Sequence, residues 1–313
     1  MARTDWAFPR LQLKQLRQLQ LISERGSIRQ AADDLSVTQP ALSRSIRLLE
    51  DDLGIKLMHR GPRGVELTES GTVLVENAKL IEANLRSTTE QLDELHGAGQ
   101  GTVRLGVGPY EGTTIAHLAI ARLLEARPRT VIQVIEGNYE SLLNQLLAGE
   151  IDIMLGPQDE SGPVDGLIGE VLTYTTPVIA VRSQHPLASE KEVTIGMLAK
   201  AEWVMAIRGQ EARTRRDNFF TRHGYEPPDC KLESLAGPLS AALLLERDVV
   251  ALLPKPLISY QIDLGLVRVL PVPTDEFRLP VQLPTRELSA LTPTCMALIG
   301  HIKNVCRELE DSL

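Results

Sequence analysis

The sequence is short of the features that mark secreted, metal-bound or membrane-spanning chains. Its three cysteines, Cys230, Cys295 and Cys306, form no Cys-x-x-Cys pair and are odd in number, which argues against a disulfide framework and a structural zinc site. No apolar run reaches the roughly 18 residues that a transmembrane helix needs. The longest charge-free stretch, Leu288 to Ile302, is broken by Ser, Thr, Pro and Gly. The first twenty residues carry charges throughout and lack the apolar segment of a secretory signal, so a cytoplasmic protein with no membrane partner is expected. Catalytic signatures are missing as well. The six histidines, His59, His96, His117, His185, His223 and His301, are scattered without a His-Glu-x-x-His, and neither Gly-x-Ser-x-Gly nor a phosphate-cradling Gly-x-x-x-x-Gly-Lys occurs. Gly106-Val107-Gly108 begins like a dinucleotide fingerprint, but the later glycine spacing fails. No catalytic residue, metal or cofactor is therefore expected, and an enzyme is the weaker alternative.

What is present is ordinary globular composition, 313 residues with 43% hydrophobic and 24% charged side chains, enough for two or three domains. The net charge of −8 is unevenly divided. Residues 1–68 hold 11 basic and 8 acidic residues, a net +3, while the remainder carries −11. A slightly basic head on an acidic body is the asymmetry of a chain that brings one end to a polyanion. The same −11 argues against an architectural protein that wraps DNA.

Leu13, Leu16, Leu19 and Ile22 recur at helical spacing up to Gly26. Ser27 caps a second helix to about Leu35, and Thr38 caps a third that continues to Leu53, with Pro40 in its first turn where a missing N–H costs nothing. Two short helices joined by a tight turn have the layout of a helix-turn-helix. In the third helix Leu42, Ile46, Leu49 and Leu53 share one face and leave Pro40, Ser43, Arg44 and Arg47 on the other. Two short extended runs follow, Lys56–Arg60 and Val65–Leu67, around Gly61-Pro62-Arg63-Gly64, a hairpin wing with basic residues at its tip.

From Thr68 to about His96 a proline-free pattern sets Leu74, Ala78, Ile81, Leu85, Thr88, Leu92 and Leu95 in a heptad seam. Either a second subunit covers that seam or the helix lies on its own domain. Gly97-Ala98-Gly99-Gln100-Gly101 reads as a linker, after which strands and helices alternate, the pattern of βαβ crossovers on a parallel sheet.

Gly26-Ser27-Ile28-Arg29-Gln30-Ala31-Ala32 and Leu35 through Glu50, continued by Leu53–Arg60 and Leu67–Gly71, closely resemble the winged helix-turn-helix of LysR-type transcriptional regulators. Weaker echoes are Gly149-Glu150-Ile151-Asp152-Ile153 and Leu252-Leu253-Pro254. The resemblance implies a multidomain protein: an all-α-rich winged helix-turn-helix head (1–67), a dimerising linker helix (68–97) and a two-lobed α/β effector domain like periplasmic binding proteins (98–313). Lobe I would take about 102–174 and 276–313, and lobe II about 175–275. It further implies promoter DNA, a small-molecule effector, other copies of the chain and RNA polymerase as partners, with a homotetramer as the assembly. Leu19, Ile28 and Met58 stand where the family often has phenylalanine, and Arg247 and Val249 stand where many members have glycines.

The expected DNA contacts follow from side-chain chemistry. Arg44 and Arg47 suit guanine, Gln39 suits adenine, and Pro40 and Ala41 suit a thymine methyl, with Ser43 on the same face. Ser27, Arg29, Thr38, Arg60 and Arg63 suit phosphate. For the effector, ligands of open α/β sheets sit beyond the carboxyl ends of strands. That selects Gly108, Pro109, Tyr110 and Thr113 after the first strand, Gly156-Pro157 after the third, Thr176 at the crossover, and Ile207, Arg208 and Ser234 in the second lobe. Arg208 is the candidate to hold a carboxylate or else an exposed loop residue, and Glu111 weakens the case for an anion beside Thr113.

Overall fold

The computed structural model describes residues 11–61, 64–96, 101–157, 164–286 and 291–310, with the side chains of Arg60, Gly112 and Thr113 outside the description. The chain divides into two compact units, Met1–Thr88 and Thr89–Leu313. The division falls inside the long helix.

In the first unit α1 (Leu13–Arg25), α2 (Ile28–Asp34) and α3 (Gln39–Leu53) enclose a core of Leu19, Ile22, Ile28, Leu42, Ile46 and Leu49. The α2–α3 turn passes through Ser36, whose φ of 53° reverses the chain direction in two residues. A polar contact supplements that core between α1 and α3: Ser45 Oγ donates to Gln18 Oε1 at 2.6 Å, with Gln18 buried. The wing is the antiparallel pair β1 (Met58–Gly61) and β2 (Gly64–Leu67), registered Met58 to Leu67 and Gly61 to Gly64. Gly64 has a φ of 120°, and a Cβ there would strike the Gly26 carbonyl, which accepts the Val65 N–H at 2.9 Å. Glycine is thus what lets the wing dock on the α1–α2 turn.

The long helix α4 (Glu69–Leu95) begins at Thr68, whose Oγ1 accepts the Gly71 N–H at 3.0 Å while donating to the Lys56 carbonyl. A side chain at position 71 would collide with the Leu57 carbonyl, so this helix starts against the wing only because Gly71 has none. The predicted heptad seam is divided in use. Leu74 packs on the core of the head and Ala78 is buried, whereas Ile81, Leu85, Leu92 and Leu95 are exposed.

The second unit has two lobes. Lobe I runs β3 (Thr102–Val107), a π-helical turn at Gly112–Ala116 continuing into α5 (His117–Ala126), β4 (Val131–Glu136), α6 (Tyr139–Leu147), β5 (Ile153–Pro157), β6 (Leu167–Ile168) and β7 (Val171–Thr175). Lobe II runs β8 (Pro177–Arg182), α7 (Ile195–Ala199), β9 (Trp203–Met205), α8 (Glu211–Arg222), β10 (Cys230–Glu233), α9 (Gly237–Glu246), β11 (Val250–Pro254), α10 (Ser259–Asp263) and β12 (Val267–Val269). The chain returns to lobe I as β13 (Leu279–Gln282), β14 (Thr285–Arg286) and α11 (Pro293–Glu310).

The sheets are mixed, which corrects the expectation of a parallel sheet. Among the described residues the main path of lobe I is β4-β3-β5-β13-β7, with β3 parallel to β4 and β5 but β13 antiparallel to β5 and β7. Lobe II is ordered β10-β9-β11-β8-β12, with β9 parallel to its neighbours and β8 antiparallel to its own. The cause is topological: the chain leaves lobe I through β7 and enters β8 after a single residue, and it comes back as β13. The strands that carry these two crossings therefore run against the βαβ strands beside them.

The last turns of α4 are tied to lobe I by ions. Arg104 reaches Glu90 at 2.8 Å and Asp152 at 3.4 Å, and the Arg104 N–H donates to Asp152 Oδ2 at 2.9 Å. Arg286 adds a second cation 3.7 Å from Asp152 and donates to the carbonyls of Leu146 and Ile151. Burial holds the Asp152 carboxyl above its ordinary pKa, only partly offset by Arg104 and Arg286. Glu94 accepts from the Thr294 hydroxyl at 2.8 Å.

Candidate nucleic-acid interface and ligand cleft

In the first unit the geometry separates a packed side of α3 from a free one. Leu42, Ile46, Leu49 and Leu53 are buried, while Gln39, Pro40, Ala41, Arg44 and Arg47 are exposed and Ser43 is half-buried. The side chains of Arg44 and Arg47 make no hydrogen bond or ion pair with any described residue. Two guanidinium groups without a carboxylate keep all their donors for an external acceptor.

Ser27 Oγ accepts the Gln30 N–H and Thr38 Oγ1 the Ala41 N–H, both at 3.4 Å, so each helix is capped by its predicted residue. A capping hydroxyl accepts; its own hydrogen stays available to a phosphate oxygen. Arg29 is exposed on α2. Arg63 lies outside the described residues, and of Arg60 only the backbone, in β1, is described. Buried Glu50 accepts from Lys56 Nζ at 2.7 Å and from the Leu57 N–H at 3.0 Å, which anchors the entry to the wing on α3. Burial pushes that carboxyl up, but these hydrogen bonds outweigh it and hold the pKa below its ordinary value.

In the second unit a cavity of about 180 Å³ opens between the lobes. Lobe I lines it with Pro109, Tyr110, Glu111, Tyr139, Glu140, Pro157, Thr175 and Leu279; lobe II adds Ala206, Gly209–Ala212 and Leu235. Of the residues expected from sequence, Pro109, Tyr110 and Pro157 are brought together here. Gly108 is buried behind them, where a side chain would collide with the Glu111 carboxylate and Pro157. Gly156 lies beside it on β5.

Several expected residues sit elsewhere. Thr176 is exposed, and its neighbour Thr175 takes the lining position. Ile207 and Arg208 do not line the cavity; Arg208 is 84% exposed with its Nε 3.8 Å from Glu233. Ser234 Oγ accepts the Ala236 N–H at 3.0 Å, a turn within the loop before α9. The hydroxyl of Thr113 is outside the description.

Sequence reasoning missed Tyr139, Glu140 and Glu211 as lining residues and treated Glu111 only as an obstacle, whereas Gly209 and Gln210 of the Ile207–Gln210 loop, which the same strand-end rule selects, do line the cavity. The signal for Tyr139 and Glu140 was available, because the rule that selects the loop after β3 applies equally to the loop after β4. Glu111 is 2% exposed, and its carboxylate receives N–H groups of its own loop, from Tyr110 at 3.4 Å and from its own residue. No described cation pairs with it. Burial pushes this carboxyl up to about 7. Burial, with Glu111 adjacent, also pushes the Tyr110 phenol up to about 12.

Comparison with known proteins covers nearly the whole chain. The family described as "LysR substrate binding domain" matches residues 96–307, and "Bacterial regulatory helix-turn-helix protein, lysR family" matches residues 13–72. The HTH-type transcriptional regulator YdcI of Escherichia coli is 27% identical over 94% of this chain and 95% of its own. The SDS degradation transcriptional activation protein of a Pseudomonas species is 29% identical over 93% and 95%. Among solved structures, full-length CbnR complexed with its target DNA superposes with a TM-score of 0.67 at 19% identity, covering 94% of this chain and 100% of that one. LysG from Corynebacterium glutamicum, solved with its effector Arg, gives 0.66 at 17% identity over 95% and 99%. At these identities the two structures establish the fold. Among the described residues no helix is long and apolar enough to cross a membrane.

Proposed function

The chain belongs to the LysR family of transcriptional regulators, DNA-binding proteins with an effector-binding domain and not enzymes, and from that premise we propose which of its residues carry each task. Arg44, Arg47 and Gln39 read base edges in a major groove, with Pro40, Ala41 and Ser43 against them. Ser27, Arg29, Thr38, Arg60 and Arg63 hold phosphates and set the register. The observation that carries this reading is the two-sided α3, one face closed by the core and the other presenting arginines that no described carboxylate answers.

The exposed Ile81, Leu85, Leu92 and Leu95 support pairing of α4 with a second copy, and a homotetramer is the assembly we propose for full-length binding. The working compartment is the cytoplasm, with promoter DNA as target and RNA polymerase as a further partner. A small effector in the interlobe cavity favours one interlobe angle and so changes the spacing of the DNA-reading heads.

Selection of duplexes from a random library by the full chain tests the first part. An enriched site with dyad symmetry is expected, since a symmetric dimer matches a symmetric operator. Enrichment without a dyad, or an enriched sequence that Arg44→Ala leaves unchanged, overturns the assignment.

A further inference from the structure

We infer that the interlobe cavity takes an organic cation, an amine or guanidine of small size, and that Glu111 is its counter-charge. The inference rests on the reading of that cavity as the effector site and goes on to its ligand chemistry. Three carboxylates line the space, Glu111, Glu140 and Glu211, and no lysine, arginine or histidine does so among the described residues. Of the three, Glu211 is already answered by Arg215 at 2.5 Å, a residue outside the lining. Glu140 is exposed at the first turn of α6. Glu111 is the exception: 2% exposed, bordering the cavity, and held among the described residues by backbone N–H groups of its own loop alone.

A buried carboxylate without a cation is costly, so the fold retains an unfavourable charge at the spot where a ligand would sit. A cationic ligand offsets that charge, whereas a carboxylate ligand would add a like charge to it. The remaining lining suits the same guest. Tyr110 and Tyr139 present aromatic surface, which attracts ammonium and guanidinium groups. The guanidinium that could have received an anion, Arg208, stands in solvent beside Glu233. The volume of about 180 Å³ limits the guest to a small molecule.

Calorimetric titration of the full chain at pH 8 with sets that share one frame and differ in charge decides the matter. Benzylamine, benzyl alcohol and benzoate form one set, pentylamine, pentanol and pentanoate another, and agmatine supplies a guanidine. At least one amine or guanidine is expected to bind, at least tenfold more tightly than the alcohol of the same frame and more tightly still than its carboxylate. Glu111→Gln should weaken that binding at least tenfold while leaving the alcohol unchanged, and Glu140→Gln should weaken it less. A carboxylate that binds more tightly than its amine, an amine indifferent to Glu111→Gln, or no cation bound in any frame overturns the inference. Gel-shift assays on the selected operator separate the two readings. An anion or alcohol that binds and alters operator affinity leaves the effector site standing with another ligand class. If no compound of any charge alters operator affinity, the effector assignment falls too.

Discussion

Two helices of this chain are rich in arginine and use it in opposite ways. Helix α8 carries Arg213, Arg215, Arg216 and Arg222, and each has its carboxylate. Arg213 meets Asp217 at 2.8 Å and Glu233 at 3.1 Å, Arg215 meets Glu211, Arg216 meets Asp217, and Arg222 meets Glu276 at 3.0 Å. Arg216 is fully buried and lies over the Trp203 ring at 5.5 Å. Helix α3 carries only Arg44 and Arg47, exposed and without a described partner. The number of cations on a helix therefore says little about polyanion binding; what matters is whether the protein has already satisfied them. Glu111 is the acidic counterpart of the α3 arginines, a charge that the fold leaves unanswered.

This contrast predicts stability effects on one side and recognition effects on the other. The largest is expected from Arg216→Met, which removes a fully buried guanidinium, takes a donor from the Pro228 carbonyl and leaves Asp217 with Arg213 alone, and should cost about 3–5 kcal/mol in a chemical denaturation curve. Unchanged stability there would show that α8 holds its arginines loosely. Next is Glu111. Its pKa is raised in the folded state, from the ordinary 4.5 to about 7, so folding favours the protonated form. Its penalty is absent below about pH 4.5, grows as the pH rises and is complete above about 7. Glu111→Gln should then raise stability at pH 8 by an amount on the order of 3 kcal/mol and give no gain at pH 4; a gain equal at both would assign the effect to packing.

Arg44→Ala should cost about 1–3 kcal/mol at one base position, measured by competition with duplexes altered one pair at a time, and leave the melting temperature alone. A uniform loss across all duplexes would move Arg44 to the phosphate contacts. The smallest expected change is in Arg29→Ala, which should lower the magnitude of the salt slope of binding by about 0.9 without altering sequence preference.

The head was far more legible in the sequence than the cleft. Ser27, Thr38 and the Leu42–Ile46–Leu49 stripe lie within a contiguous segment whose caps and period are local properties, and the structure places them as caps and core. The cleft residues come from segments as distant as Tyr110 and Leu279, and what gathers them is the double crossing between lobes, invisible in any short window. Arg208 illustrates the cost: its distance from the cavity and closeness to Glu233 depend on β10 lying beside β9, a pairing no periodicity announces. Short elements such as β6, α7 and α10 carry too few residues to show a period at all.

Strand β5 joins two places that have been described separately. Immediately before it, Asp152 grips Arg104, which in turn grips Glu90 near the end of α4; at its far end Pro157 forms part of the wall of the cavity. An extended strand of five residues spans roughly 16 Å and resists compression, because its length is fixed by covalent geometry and its flanks by ladder hydrogen bonds. The seat of the helix terminus at one tip and a wall of the cavity at the other thus belong to a single stiff member with no slack loop in between.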